Sequence, residues 1–152
     1  MAKNWKLEDL PDEYRRQVRK QLRREIHPGS ISVDLPTKWL SRNAVDKLHW
    51  SARGRLRASY VALLGELGLC FPKGLRGGRW SLGLTRVLGP KERLYDTDNL
   101  VGGAKQLIDA MVSCGWFVDD SPKFLVVNCF QDEDFRGVGP FIRAELVQIP
   151  GE

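Results

Sequence analysis

The strongest constraint on the fold is a set of short runs in which apolar and polar residues alternate, two of them ended by residues that cannot continue a strand. Ile31-Ser-Val-Asp-Leu alternates and meets Pro36; Trp80-Ser-Leu-Gly-Leu-Thr-Arg-Val-Leu alternates in its first half and is broken by Gly89-Pro90. Successive strand side chains point to opposite faces, so these runs predict half-buried strands. A third strand is expected around Phe124 to Phe130. A fourth is expected over Phe141 to Ile149, where Ile142, Ala144 and Leu146 alternate against Arg143, Glu145 and Val147. Between the first two strands, a basic loop leads into a helical pattern from about Arg57 to Leu69, with Tyr60, Leu63, Leu64 and Leu67 on one side. Ahead of them, Tyr14, Val18, Leu22 and Ile26 recur at every fourth position until Pro28-Gly29 stops the run. The expectation is an α+β fold: a small mixed sheet of about four strands with two core helices over residues 29–152, preceded by a basic helical arm over residues 1–28.

At 152 residues the chain is the size of one domain and can bury a core without covalent staples. Cys70, Cys114 and Cys129 are odd in number and lack C-x-x-C spacing, which argues against a disulfide framework or a structural zinc site. The N-terminus has acids among its bases and no apolar core, unlike a secretory signal, and no apolar run approaches the ~20 residues that span a bilayer. A reducing, cytoplasmic setting is expected.

The net charge of +5 is distributed unevenly. Lys38, Arg42, Lys47, Arg53, Arg55 and Arg57 stand against one acid, Asp46, and six more bases between Lys73 and Arg93, including Arg76 and Arg79, stand against Glu92 alone. Between Asp96 and Asp120 the sign reverses: five aspartates surround a single base, Lys105. A basic field around an acidic focus suits a polyanion brought to a metal ion, although a solvated basic surface has the same composition.

The acidic focus starts with Tyr95-Asp-Thr-Asp-Asn-Leu, which follows a strand and opens a helix; Asp96, Asp98 and Asn99 are all suited to the N-cap. At about 100° per residue, Asp98, Gly102, Lys105 and Asp109 fall within roughly 60° of one another, while Leu100, Ala104, Leu107, Ile108 and Met111 gather opposite. Mg²⁺ favours carboxylate oxygen and is commonly held by one or two carboxylates with water and phosphate oxygens completing the shell. Asp96 and Asp98 can share one ion if the chain is extended there, Asn99 can orient an aspartate, Lys105 can meet a phosphate, and Gly102 leaves room for a nucleic-acid backbone. Read blandly, the same residues are a capped helix start and an exposed i, i+4 pair of Lys105 with Asp109. An EF-hand loop is excluded, because counting from Asp96 puts Val101 and Leu107 where that loop needs Gly and Glu. A second acidic pair, Asp119 and Asp120, follows the helix stop Gly115 and a turn that Trp116, Phe117 and Val118 would anchor in the core. Carboxylates crowded together repel unless a cation compensates them.

Asp-x-Asp-Asn-Leu, then Lys-x-x-x-Asp-Ala, then Gly-aromatic-aromatic-apolar-Asp-Asp resembles the RusA family of Holliday-junction endonucleases and its relatives in phages and prophages. The likeness is strongest over Asp96 to Asp120. It extends loosely to the strand at Ile31, to the Asn43–Arg57 stretch with His49-Trp50, and to the last strands. It implies a RusA-like mixed α/β domain acting as a homodimer that nicks four-way junctions with Mg²⁺, or Mn²⁺ in its stead, in recombination and repair. Carried over, the catalytic and metal positions are Asp96, Asp98 and one or both of Asp119 and Asp120, with Asp120 favoured and Lys105 as the lysine. Here Val101-Gly-Gly-Ala lengthens the spacing before Lys105 relative to the family's best-known form, and residues 1–28 have no counterpart. Positive residues in the two basic stretches (Lys38, Arg42, Lys47, Arg53, Arg55, Arg57, Lys73, Arg76 and Arg79) and His49 would contact DNA, with Trp50 as a base contact or wedge, or simply a packing residue. The competing readings are a non-catalytic phage DNA-binding accessory protein and a nuclease for forks, flaps or duplex DNA.

Overall fold

The structure, a computed structural model, describes residues 30–70 and 78–149. The helical arm expected over residues 1–28, together with Lys73 and Arg76, lies outside the described residues. The fold is α+β. Strands β1 (Ser30–Leu35), β2 (Arg79–Val87), β3 (Leu125–Asp132) and β4 (Phe141–Ile149) form one four-stranded sheet in the order β1-β4-β2-β3. Helices α1 (Arg42–Asp46), α2 (Trp50–Glu66), α3 (Thr97–Gly103) and α4 (Lys105–Ser113) complete the described elements. The described residues divide into two compact units that interleave along the sequence: one takes residues 30–39, 81–95 and 127–148, the other 40–70, 78–80, 96–126 and 149.

In the sheet, β1 and β4 are antiparallel, with Val33 opposite Ala144 and Leu35 opposite Ile142, all four buried. β2 and β3 are parallel: the Trp80 N–H donates to the Phe124 carbonyl at 2.8 Å and the Leu88 N–H to the Asp132 carbonyl at 2.9 Å, equal steps along both strands. The sheet is therefore mixed, and the β2–β3 connection contains α3 and α4, as a parallel pair requires a long crossover. Alternation along β2 buries Trp80, Leu82 and Leu84 and then, on the same face, Arg86. The Arg86 guanidinium lies 3.6 Å over the Tyr95 ring, donates to the Arg93 carbonyl (2.8 Å) and to Gln131 Oε1 (2.9 Å), and pairs with Glu92 at 3.3 Å. Among the bases of the Lys73–Arg93 stretch, this one is thus a core residue withheld from phosphate. A second buried charge, Asp34, accepts from Arg143 Nε at 2.9 Å across the β1–β4 register.

In the second unit, α2 starts at Trp50, two turns before the expected Arg57, because His49 caps it: its Nδ1 accepts from the Ser51 N–H at 3.4 Å. Much of the basic stretch expected as a loop is consequently helical. Ser41 caps α1 by accepting from the Ala44 N–H at 3.1 Å. Both α2 and α4 end in Schellman turns on glycines of positive φ. Gly68 (φ 70°) and Gly115 (φ 83°) let the Leu69 N–H reach the Leu64 carbonyl and the Trp116 N–H the Met111 carbonyl. Trp116 Nε1 then donates to the Leu69 carbonyl at 2.7 Å, tying the ends of the two helices together. Trp116 and Phe117 are fully buried as expected, whereas Val118 is 46% exposed. None of the described helices is long and apolar enough to cross a membrane.

Candidate metal and nucleic-acid site

The expected single helix after Tyr95 is two helices. α3 closes at Gly103, and the Ala104 N–H bonds to the Val101 carbonyl, three residues back, before α4 begins at Lys105. Two adjacent glycines have the lowest helix propensity short of proline, which is where such a seam forms. Leu100, Ala104, Leu107 and Met111 are buried as the periodicity predicts; Ala110 joins them and Ile108 is half-exposed.

Tyr95, the residue preceding the first acid, is held within the sheet unit. Its N–H donates to Gln131 Oε1 (2.8 Å), its carbonyl accepts from Gln131 Nε2 (2.9 Å), and its hydroxyl donates to the Trp39 carbonyl (3.4 Å). Asp96 is the N-cap of α3 in extended conformation; Oδ1 accepts from the Asn99 N–H and Oδ2 from Asn99 Nδ2, both at 2.9 Å. These two bonds to Asn99 hold the Asp96 carboxyl below its ordinary value, so it is ionised and oriented. Asn99 Oδ1 in turn accepts from the Asn43 N–H at 3.1 Å, joining α3 to α1. Asp98, in the first turn, is exposed. Gly102 does not offer the expected room to a nucleic-acid backbone, because the Arg42 side chain lies against it. A Cβ there would stand 2.5–2.8 Å from three carbons of Arg42.

A second group forms around Lys105. Its ammonium donates to Asp109 Oδ1 and to Asp120 Oδ2, each at 3.2 Å. The bonds to Asp109 and then Asp120 raise the Lys105 pKa, and the bond from Lys105 lowers that of Asp120. Asp119 Oδ1 accepts from the Asp120 N–H at 2.8 Å, a local turn contact. The i, i+4 pair of the bland reading therefore exists, and a residue fifteen positions further along the chain joins it.

No protein-family model matches this sequence, and no curated protein matches it. Neither comparison bears on the resemblance to RusA-type enzymes, which is strongest over Asp96 to Asp120 and looser elsewhere.

Among the described residues, no group of three or more His, Cys, Asp or Glu side chains is spaced to hold a metal ion. No described hydrogen bond or ion pair links the Asp96–Asn99 group to the Lys105 group. The donor chemistry fits a hydrated Mg²⁺ held by one or two carboxylates and finished by water and phosphate oxygen; it does not fit a closed protein cage. Asp96 and Asp98 are exposed and two residues apart, with Asp96 already oriented by Asn99.

The described bases are not equivalent. Lys38 pairs with Glu92 at 3.7 Å, Arg42 with Asp46 at 3.5 Å, and Arg79 donates to the Pro122 carbonyl at 3.1 Å. Arg53 donates to the Asp46 carbonyl at 3.0 Å, while its buried Nε has no partner. Lys47, His49, Arg55 and Arg57 are exposed on or beside α1 and α2. Trp50 is 77% exposed, so the packing role is excluded. An open groove of about 610 Å³ lies between α2 and α4; Trp50, Arg53, Gly54, Arg57, Gln106 and Asp109 are among its walls. Sequence reading missed this groove, because its far wall comes from a helix fifty residues away.

Proposed function

We propose that the chain is a divalent-metal-dependent endonuclease that nicks branched DNA, four-way junctions above all, as a homodimer in the bacterial cytoplasm. The observation that supports this reading is the contact of Lys105 with Asp120 at 3.2 Å, which joins two of the three resembling motifs. Asp96, Asp98 and one or both of Asp119 and Asp120 are the residues that would hold Mg²⁺ or Mn²⁺. A bound ion of this kind lowers the pKa of its water and neutralises charge that builds on phosphate.

The chain's own groups carry the rest. Asn99 fixes the direction of the Asp96 carboxylate. An ammonium has three donors; Lys105 commits two to Asp109 and Asp120 and keeps one for a phosphate oxygen. Such a donor, fixed before the reaction, lowers the barrier without reorganising during it. Arginines on α2 hold neighbouring phosphates and add affinity without sequence preference. A two-fold dimer would present two such sites to the matched strands of a junction.

The test is a nicking assay on labelled four-way, forked and duplex DNA, with and without Mg²⁺, for the wild type and Asp98→Asn. Metal-dependent nicking of the junction, lost in Asp98→Asn with junction binding retained, is the expected result. Full activity in the variant removes the metal argument. Binding without nicking by the wild type returns the chain to a non-catalytic accessory role, and preferential cutting of forks or duplex reassigns the substrate.

A further inference from the structure

Of the four tryptophans whose burial is described, Trp39, Trp80 and Trp116 are at most 4% exposed, and Trp50 alone stands 77% in solvent. It is not on a loose loop. It is the first residue of a seventeen-residue helix, its ring 5.4 Å from the His49 ring that caps that helix. A large aromatic surface held rigidly in water is unfavourable unless something covers it.

The face of α2 that bears Trp50 has a definite chemistry. Residues three and four apart on a helix are neighbours, so Trp50, Arg53, Gly54, Arg57 and Ala58 form one stripe, and all five line the groove. Gly54, one turn from Trp50, has nothing within 4 Å of where a Cβ would stand, so the surface beside the indole is flat and open. Arg53 and Arg57 flank it. The one acid in the lining is Asp109, whose charge Lys105 answers at 3.2 Å. The groove is therefore a flat aromatic floor bordered by uncompensated positive charge, and about 610 Å³ falls within the roughly 300–1,000 Å³ of ordinary ligand pockets.

We propose that this groove takes an unpaired nucleotide of a nucleic-acid strand, its base stacked on Trp50 and lying over Gly54, its phosphates on Arg53 and Arg57. Charge complementarity selects a polyanion, and the exposed indole selects one with an accessible π-face. Paired bases hide theirs in the duplex stack, whereas unpaired bases offer them to aromatic side chains. Gln106 on the opposite wall has an amide donor and acceptor for the base edge. Asp109 belongs both to the groove and to the Lys105 group, so a strand seated there leads its next phosphate toward Lys105. The inference deepens the nuclease reading by naming single-stranded character at the branch as what is recognised. It rests on nucleic-acid binding and not on cleavage.

The experiment measures anisotropy of a labelled oligothymidylate of about 12 nucleotides and of a duplex of equal length, with the full chain in Ca²⁺ to prevent cutting. Trp50→Ala should weaken single-strand binding about tenfold or more and duplex binding less than about twofold, and Trp50→Phe should restore most of the loss. Gly54→Leu, which covers the floor and leaves every charge in place, should reproduce the Trp50→Ala loss. Circular dichroism of the variants should match the wild type, since both positions are exposed. Unchanged single-strand binding in Trp50→Ala, an equal loss on both probes, or a wild type that binds neither probe overturns the proposal. Trp50-dependent binding without nicking of any substrate leaves the groove intact and removes only the nuclease reading. Nicking with no Trp50 dependence does the reverse.

Discussion

Replacing Lys105 by Met separates a structural lysine from a functional one, because the two roles predict different magnitudes. As structure, Lys105 makes two ion pairs at 3.2 Å, but its side chain is 61% exposed and its partners are 24% and 38% exposed. Exposed pairs of this kind contribute roughly 0.2–1 kcal/mol each, so the variant should lose no more than about 1–2 kcal/mol. For a chain of this size that is a fall in Tm of about 3–6 °C, leaving the protein folded at 25 °C. As a fixed donor to a reacting phosphate, the same ammonium contributes about 10²–10³ in rate. Single-turnover nicking of a labelled junction at saturating protein, well below the Tm, should therefore slow at least about a hundredfold. Nicking within about twofold of wild type, alongside the modest fall in Tm, would reduce Lys105 to an ion pair and refute the reasoning. The pH profile of stability gives a second reading. Asp120 has its carboxyl held below the ordinary 3.8, so its pairing is present above about pH 4 and is lost as pH falls through the lowered folded value. Lys105 is raised above its ordinary 10.5, so its contribution is full below about pH 10 and is lost as pH rises through the raised folded value. The Tm difference between wild type and Lys105→Met should be flat across the neutral range and close at both extremes; a difference that does not depend on pH contradicts the pairing.

Gly102→Ala gains about 1 kcal/mol of helix propensity but drives a Cβ to within 2.8 Å of three Arg42 carbons, an overpacking cost of about 1–3 kcal/mol. A net loss of about 1 kcal/mol in urea denaturation is expected, and a stabilised variant would show that Arg42 does not pack there. Burial, together with the contact to Cys70, pushes the Cys114 thiol up to about 12, and burial alone pushes Cys129 up to about 11, so both are protonated at pH 8. Alkylation followed by mass spectrometry should label exposed Cys70 first; modification of buried Cys114 or half-buried Cys129 ahead of it would contradict this order.

What could be read in the sequence follows from how local each signal is. Three of the four strands were legible from alternation within the run, two of them also from a stop residue, and the glycine that ends α4 because a Schellman turn needs only its neighbours. The first two turns of α2 were not. Trp50-Ser-Ala-Arg-Gly-Arg-Leu has no apolar stripe, since that face lines a groove and not a core. α1 is too short for periodicity, and the sequence reading did not anticipate it. Of the candidate site, the Asp96–Asn99 cap was legible from residue types three apart, and the Lys105–Asp109 pair from helical spacing. The reach of Lys105 to Asp120 and the burial of Arg86 are tertiary facts that a count of charges cannot contain.

The polypeptide leaves the sheet-bearing unit after Trp39, returns at Ser81, leaves again after Tyr95 and returns at Val127. No single cut can therefore release either half with its residues complete, and a nick within either excursion leaves two fragments that each own part of both halves. Such fragments have reason to reassociate, and neither has reason to fold alone. The same threading confines Trp50, Lys105 and Asp120 to two loops of chain that start and finish at strands. Change in what those loops recognise can accumulate while the β-ladder that brackets them stays as it is.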